Sequence, residues 1–122
     1  MTAKREYLDY VADIQEAVSS ILAFTNGMTW EQFAADRKTQ YAVVRAFEIL
    51  GEAAKKVPLS VRKRHTRVPW KQMAGMRDKL IHEYFGVNYQ VLWKTVQTDI
   101  PPLQSRIAKA LEQESKKAHR GR

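Results

Sequence analysis

The sequence predicts an all-α fold, an antiparallel bundle of four to five main helices, and three observations predict it. Apolar residues recur at steps of three and four through most of the chain. The five glycines and four prolines fall mainly between these periodic stretches, as punctuation. No segment alternates apolar and polar residues for long enough to make a convincing strand.

The first helix is expected over residues 4–24, where Tyr7, Val11, Ile14, Val18 and Ile21 form one stripe. Asn26-Gly27 ends it. Thr29-Trp30-Glu31-Gln32 reads as a capping box that opens a short helical turn. A second long helix is expected over residues 37–56, capped by Asp36, with Val43, Phe47, Leu50, Ala54 and Val57 as its stripe and Pro58 as its stop. The stretch from Pro58 to Pro69 is basic and irregular, with at most one turn near residues 60–64. A third helix is expected from Pro69 to Gly86. Asn88 caps a fourth, over residues 89–98. Val96, Ile100, Leu103, Ile107 and Ala110 keep one stripe across Pro101-Pro102, so a kink or short break is expected there.

A chain of 122 residues that is 44% apolar suits one domain with one core. Residues 1–112 are expected to form it, with residues 113–122 as a loose basic tail. The absence of cysteine excludes a disulfide framework and a thiol nucleophile, and fits a reducing cytoplasm. No window is apolar enough to span a membrane, and the start, MTAKREYLDY, does not read as a secretory signal. The formal charge of +8 suits a polyanionic partner such as RNA, although the last ten residues, with four basic and one acidic side chain, hold +3 of it.

The residues that can carry chemistry lie in the expected third helix, Gly75-Met-Arg-Asp-Lys-Leu-Ile-His-Glu-Tyr-Phe-Gly86. On a wheel of about 100° per residue, Arg77, Asp78, His82 and Tyr84 share a broad face with apolar residues. Asp78 and His82 are one turn apart, so Asp78 can orient the imidazole. Histidine moves a proton near neutral pH, and arginine grips a phosphate through paired hydrogen bonds. RNA brings its own nucleophile, the 2′-hydroxyl, so this chemistry needs no cofactor and no metal. On such a helix Arg77 and His82 are about 140° apart, too far to clamp one small group. Two copies in a symmetric dimer would bring one chain's arginine to the other's histidine. Taken alone, an arginine and a histidine five residues apart read as a structural histidine and a surface or interface arginine sooner than as a catalytic site.

Three further features admit two readings each. Arg45, Glu48 and Glu52 share one face of the second helix, as an ion-pair row between helices or as carboxylates that position Arg77 across a dimer. The segment Arg62-Lys-Arg-His-Thr-Arg67 is a solvated loop or an RNA guide, with His65 a surface residue. Trp30, Trp70 and Trp93 are core residues sooner than base-stacking platforms.

Three blocks resemble the HepT family, a branch of the HEPN superfamily. They are Val44-Arg-Ala-Phe-Glu-Ile-Leu-Gly-Glu-Ala-Ala-Lys55, the stretch from Val68 to Val87 with Trp70, Ala74-Gly75-Met76 and Phe85-Gly86 around the Arg-x4-His pattern, and Leu92-Trp-Lys to Asp99-Ile-Pro101. The resemblance implies a helical homodimer and a metal-independent endoribonuclease toxin acting on transfer or messenger RNA, with Arg77 and His82 as its catalytic pair. It further implies a minimal nucleotidyltransferase antitoxin that transfers AMP to the motif tyrosine, here Tyr84. The alternative of another class is a non-catalytic module that holds a nucleotide or docks that partner. A weaker one is a basic nucleic-acid-binding bundle in which charge, and not His82, controls RNA affinity.

Overall fold

The computed structural model describes residues 5–82 and 86–120. Among them run seven helices and one small hairpin: α1 (Tyr7–Thr25), α2 (Trp30–Ala35), α3 (Arg37–Lys56), α4 (Leu59–Arg64), α5 (Trp70–Leu80), β1 (Ile81–His82), β2 (Gly86–Val87), α6 (Tyr89–Thr98) and α7 (Ile100–Arg120). The fold is all-α, as the apolar spacing predicts. α1 packs on α3 and α7, α3 packs on α5, and α6 closes the circle against α5 and α7. Inside lie Val11, Ile14, Val18 and Ile21 of α1, Val43, Phe47 and Leu50 of α3, and Leu103 and Ile107 of α7, all essentially inaccessible to water. These are the residues of the predicted stripes.

The helix starts follow from side chains that satisfy otherwise unpaired backbone donors. The Thr29 hydroxyl accepts from the Gln32 N–H while the Gln32 side chain accepts from the Thr29 N–H, completing the expected box. Asp36 accepts from the Thr39 N–H and hydroxyl at the head of α3. Asn88 accepts from the Val91 N–H at the head of α6. The break before the last helix falls at Asp99, and Pro101-Pro102 occupy the first turn of α7, where their missing N–H groups cost nothing.

Two expectations are corrected. The third helix does not reach Gly86 but ends at Leu80, and the chain turns into an antiparallel pair with Ile81 opposite Val87 and His82 opposite Gly86. Ile81, at the start of the pair, is β-branched and sits more readily in a strand than in a helix. Gly86 takes a left-handed φ of 74°, which suits glycine, at the start of β2. The second correction concerns the tail. Instead of hanging loose from residue 113, α7 continues to Arg120.

That continuation has an anchor. Glu114, buried on α7, accepts two hydrogen bonds from Arg64, at 3.0 and 2.7 Å, and one from the Tyr7 hydroxyl at 3.2 Å. His65 Nε2 lies 2.7 Å from the same carboxylate. His65 is therefore no surface residue; its side chain is 9% exposed. The Arg64 hydrogen bonds first, and then those of His65 and Tyr7, hold the Glu114 carboxyl down at about 2. Burial, and next the Glu114 charge, push the Tyr7 phenol up.

Candidate active site

Arg77 and Asp78 stand near the end of α5, Arg77 against α3 and Asp78 facing solvent. Met76 and Leu80 point inward and are buried, whereas Asp78 is 71% exposed and Arg77 is half-buried. Arg77 leaves its helix where α5 crosses α3 most closely. A β-carbon built at Gly51 would lie 3.3 Å from the Met73 carbonyl oxygen and 3.6 Å from Arg77 Cβ, so glycine is what lets the helices meet there. The stem of Arg77 is thereby held against α3 while its guanidinium stays in reach of solvent.

Asp78 is engaged by its neighbour: Arg77 Nη1 donates to Asp78 Oδ1 at 3.4 Å, a long and exposed contact. The pairing of Asp78 with His82 by one helical turn does not arise, because the helix stops two residues before His82. For the same reason the angle of about 140° between Arg77 and His82 on a wheel, and the dimer argument built on it, lose their geometric basis. Arg77 stands on a helix and the His82 backbone on a strand; the His82 side chain and the whole of Tyr84 lie outside the described residues.

The polar stripe of α3 divides. Glu52 pairs with Lys55 of its own helix at 3.4 Å, both exposed. Arg45 lines a cavity of about 550 Å³ between α1 and α3 that also carries Asp13 and Glu16. Among the described residues neither Arg45 nor Glu48 forms an ion pair, so the expected row of pairs between helices is not built. Glu48 and Glu52 flank Gly51 in sequence, and hence the crossing with Arg77.

The basic segment divides as well. Arg62 donates to the carbonyls of Val57 and Lys55 and so closes the C-terminus of α3. Arg64 and His65 are spent on Glu114. Arg67 lines a basic cleft with α7, beside Arg64. Trp70 is buried and donates its indole N–H to the His65 carbonyl, and Trp93 stacks on Phe33 at 5.0 Å, so both serve the core. Sequence reasoning missed the Glu114 cluster, whose members are up to 107 residues apart. Its one linear signal was a lone acid in a basic terminus. Among the described residues no three His, Asp or Glu side chains are grouped to hold a metal, and no helix is long and apolar enough to cross a membrane.

An all-α bundle is the fold the resemblance anticipates; Arg77 stands near the end of α5, while His82, expected on the same helix, falls on the adjoining strand. The chain belongs to the ribonuclease HepT-like family, whose model matches residues 14–110. A protein of Thermococcus cleftensis named "Probable ribonuclease HepT" is 52% identical over 87% of this chain and 96% of its own length. Two proteins whose names begin "Putative RNase", from Methanocaldococcus jannaschii and Caldanaerobacter subterraneus, are 41% and 43% identical over 89% and 93% of this chain and 90% and 99% of their own. No solved structure gives a significant match.

Proposed function

We propose that the chain is a metal-independent endoribonuclease toxin of a type VII-like system, acting in the cytoplasm as a homodimer. The observation that carries this reading is membership of a ribonuclease family together with an intact Arg77-x4-His82-x-Tyr84 pattern. Arg77 donates paired hydrogen bonds to the non-bridging oxygens of the scissile phosphate and offsets the charge that builds there. His82 accepts the proton of the RNA 2′-hydroxyl, whose oxygen bonds to phosphorus as the bond to the 5′-oxygen breaks. The leaving oxygen takes up a proton, and the products are a 2′,3′-cyclic phosphate and a 5′-hydroxyl. Asp78 keeps a positioning role through Arg77, to which it is bonded. Glu48 or Glu52 positions Arg77 across the dimer.

Silencing falls to a minimal nucleotidyltransferase antitoxin. The Tyr84 oxygen attacks the α-phosphorus of ATP, pyrophosphate leaves, and the phenolic proton passes to a base on the partner. The adenylate fills the space RNA needs, and its phosphate competes for Arg77.

The test is cleavage of transfer or messenger RNA by the purified chain with a chelator present. Wild type should cut and leave cyclic phosphate ends, while His82→Ala and Arg77→Ala should lose cleavage with the helical fold intact. Full activity of a clean His82→Ala preparation overturns the reading. Activity lost only with the chelator replaces it with a metal enzyme.

A further inference from the structure

Lys116 and Lys117 of the C-terminal segment, which looks like a solvated end in sequence, stand on the helix α7. Along α7, Arg106, Lys109, Gln113 and Lys116 follow one another at steps of three, four and three, one face of the helix. Arg106, Lys109 and Gln113 form one wall of a cleft of about 420 Å³, and Arg64 and Arg67 stand on the other, in the segment before α5. Arg106 Nη1 donates to the Arg67 carbonyl at 3.5 Å, which brings the two arginines together. Among the described residues no carboxylate pairs with Arg67, Arg106 or Lys109. Of the acids around the cleft, Glu114 is saturated by Arg64, His65 and Tyr7, Glu112 pairs with Lys116, and Asp99 lies in the adjoining cavity. Cations gathered without counter-charge repel one another and gain from a polyanion that releases their counterions.

The cleft also leads somewhere. It shares Arg106 with a second cavity lined by Gln72, Met76 and Asp99. These three residues recur in a third cavity, which reaches Lys79 and Leu80. One groove therefore follows α5 from the basic cleft to the residue just before Ile81–His82. The helix is about 16 Å long, the span of roughly five nucleotide steps at the ~3.4 Å rise of a strand. Asp99 is the only carboxylate lining the groove among the described residues, so its cationic end is where a phosphate backbone is held.

We infer that the cleft between Arg67 and the Arg106–Lys109 face of α7 is an RNA phosphate-backbone exosite, which anchors the substrate strand one helix length from the catalytic pair. This rests on the ribonuclease reading for the identity of the polyanion. Its recognition is by charge, without sequence preference.

The test uses the full chain carrying His82→Ala, so that RNA survives, and follows binding of a labelled single-stranded RNA oligonucleotide across a salt series. Arg67→Gln, Arg106→Gln and Lys109→Gln together should weaken binding by about tenfold or more and lower the salt slope by roughly two to three. Lys38→Gln, Lys56→Gln and Lys94→Gln, which remove the same charge from elsewhere, should lower neither as much. Lys109→Gln alone breaks no hydrogen bond of the fold; should the triple variant unfold, it is expected to reduce the slope by about one. Equal losses in both triple variants, or no loss in the first, overturn the exosite. So does binding of phosphatidylserine vesicles that depends on these three residues while RNA affinity does not. A wild-type chain that fails to cleave RNA removes the ribonuclease reading and leaves this comparison of affinities standing as a separate measurement.

Discussion

Arg64 grips Glu114 with two hydrogen bonds, Nε–H to Oε2 at 3.0 Å and Nη2–H to Oε1 at 2.7 Å, across fifty residues of chain. The pair fastens the end of α7 to α4, and the Tyr7 hydroxyl adds α1. Glu114 is 3% exposed and Arg64 37%, so removal of the acid strands one charge that water reaches and a histidine that it hardly does. Glu114→Ala should cost about 2–3 kcal/mol, below the ~3–5 of a fully buried pair because Arg64 can turn to solvent. A chemical denaturation curve with an unchanged slope and a lowered midpoint is the expected signature.

The same carboxyl sets an acid limit. Its value falls from the ordinary 4.5 to about 2 in the folded chain, chiefly through the Arg64 hydrogen bonds. A depressed carboxyl stabilises the fold above its unfolded value, and that contribution drains away as pH falls through the folded one. Thermal stability should therefore drop between about pH 4.5 and pH 2 in the wild type, and Glu114→Gln should flatten that part of the profile. An unchanged profile in the variant would assign the acid limit to other groups.

At Gly51 two opposing effects can be weighed. Alanine gains about 1 kcal/mol over glycine in a helix interior. Its β-carbon, however, would press a backbone oxygen at 3.3 Å, and mild overpacking costs about 1 kcal/mol or more. Gly51→Ala should thus leave the melting temperature almost unchanged. Gly51→Val, with two further carbons toward Met73 and Arg77, should lose about 2–3 kcal/mol and displace the Arg77 stem. Cleavage should then fall more than the folded fraction does, which activity assays below the melting transition can measure. Valine tolerated in both respects would show that the helices do not need this close approach.

Tyr84→Phe separates the proposed switch from the proposed chemistry. Incubated with its partner nucleotidyltransferase, ATP and a divalent metal, the wild type should gain one or more AMP units on the peptide holding Tyr84 and stop cutting RNA. The phenylalanine variant should remain unmodified and, where active, uninhibited. Peptide mass spectrometry reads the outcome. Neutralisation with that peptide unmodified would point to occlusion by a bound partner.

Helices whose apolar faces are locally periodic were legible in the sequence. α3 runs from Arg37 to Lys56 with Asp36 as cap, and α6 from Tyr89 to Thr98 with Asn88 as cap, as predicted. These ends are set within a few residues, by a side chain that caps or a proline that stops. The end of α5 was not legible, because no proline, glycine or capping residue stands between Leu80 and Gly86 to stop a helix. What competes with the helix is a pairing to Gly86–Val87, which no helical periodicity reveals. The resemblance singles out Arg77 and His82, but the spacing that puts both on one helix does not hold in the fold. Glu114 and His65 illustrate the other gap: a buried charge cluster is a tertiary fact, and each of its members alone reads as surface.

The hairpin after α5 gives Gly86 a say in geometry it never touches chemically. Its backbone is the rung opposite His82, and its φ of 74° is open at little cost only to a residue without a β-carbon. Nothing lies within 4 Å of where that carbon would go, so space does not forbid a larger residue; backbone torsion alone does. A substitution there would spare every side chain of the motif and still re-aim the strand that carries its histidine. In a screen for inactive variants, position 86 would then mimic a catalytic residue while contributing no functional group, and only a structural readout of the ribbon would tell the two apart.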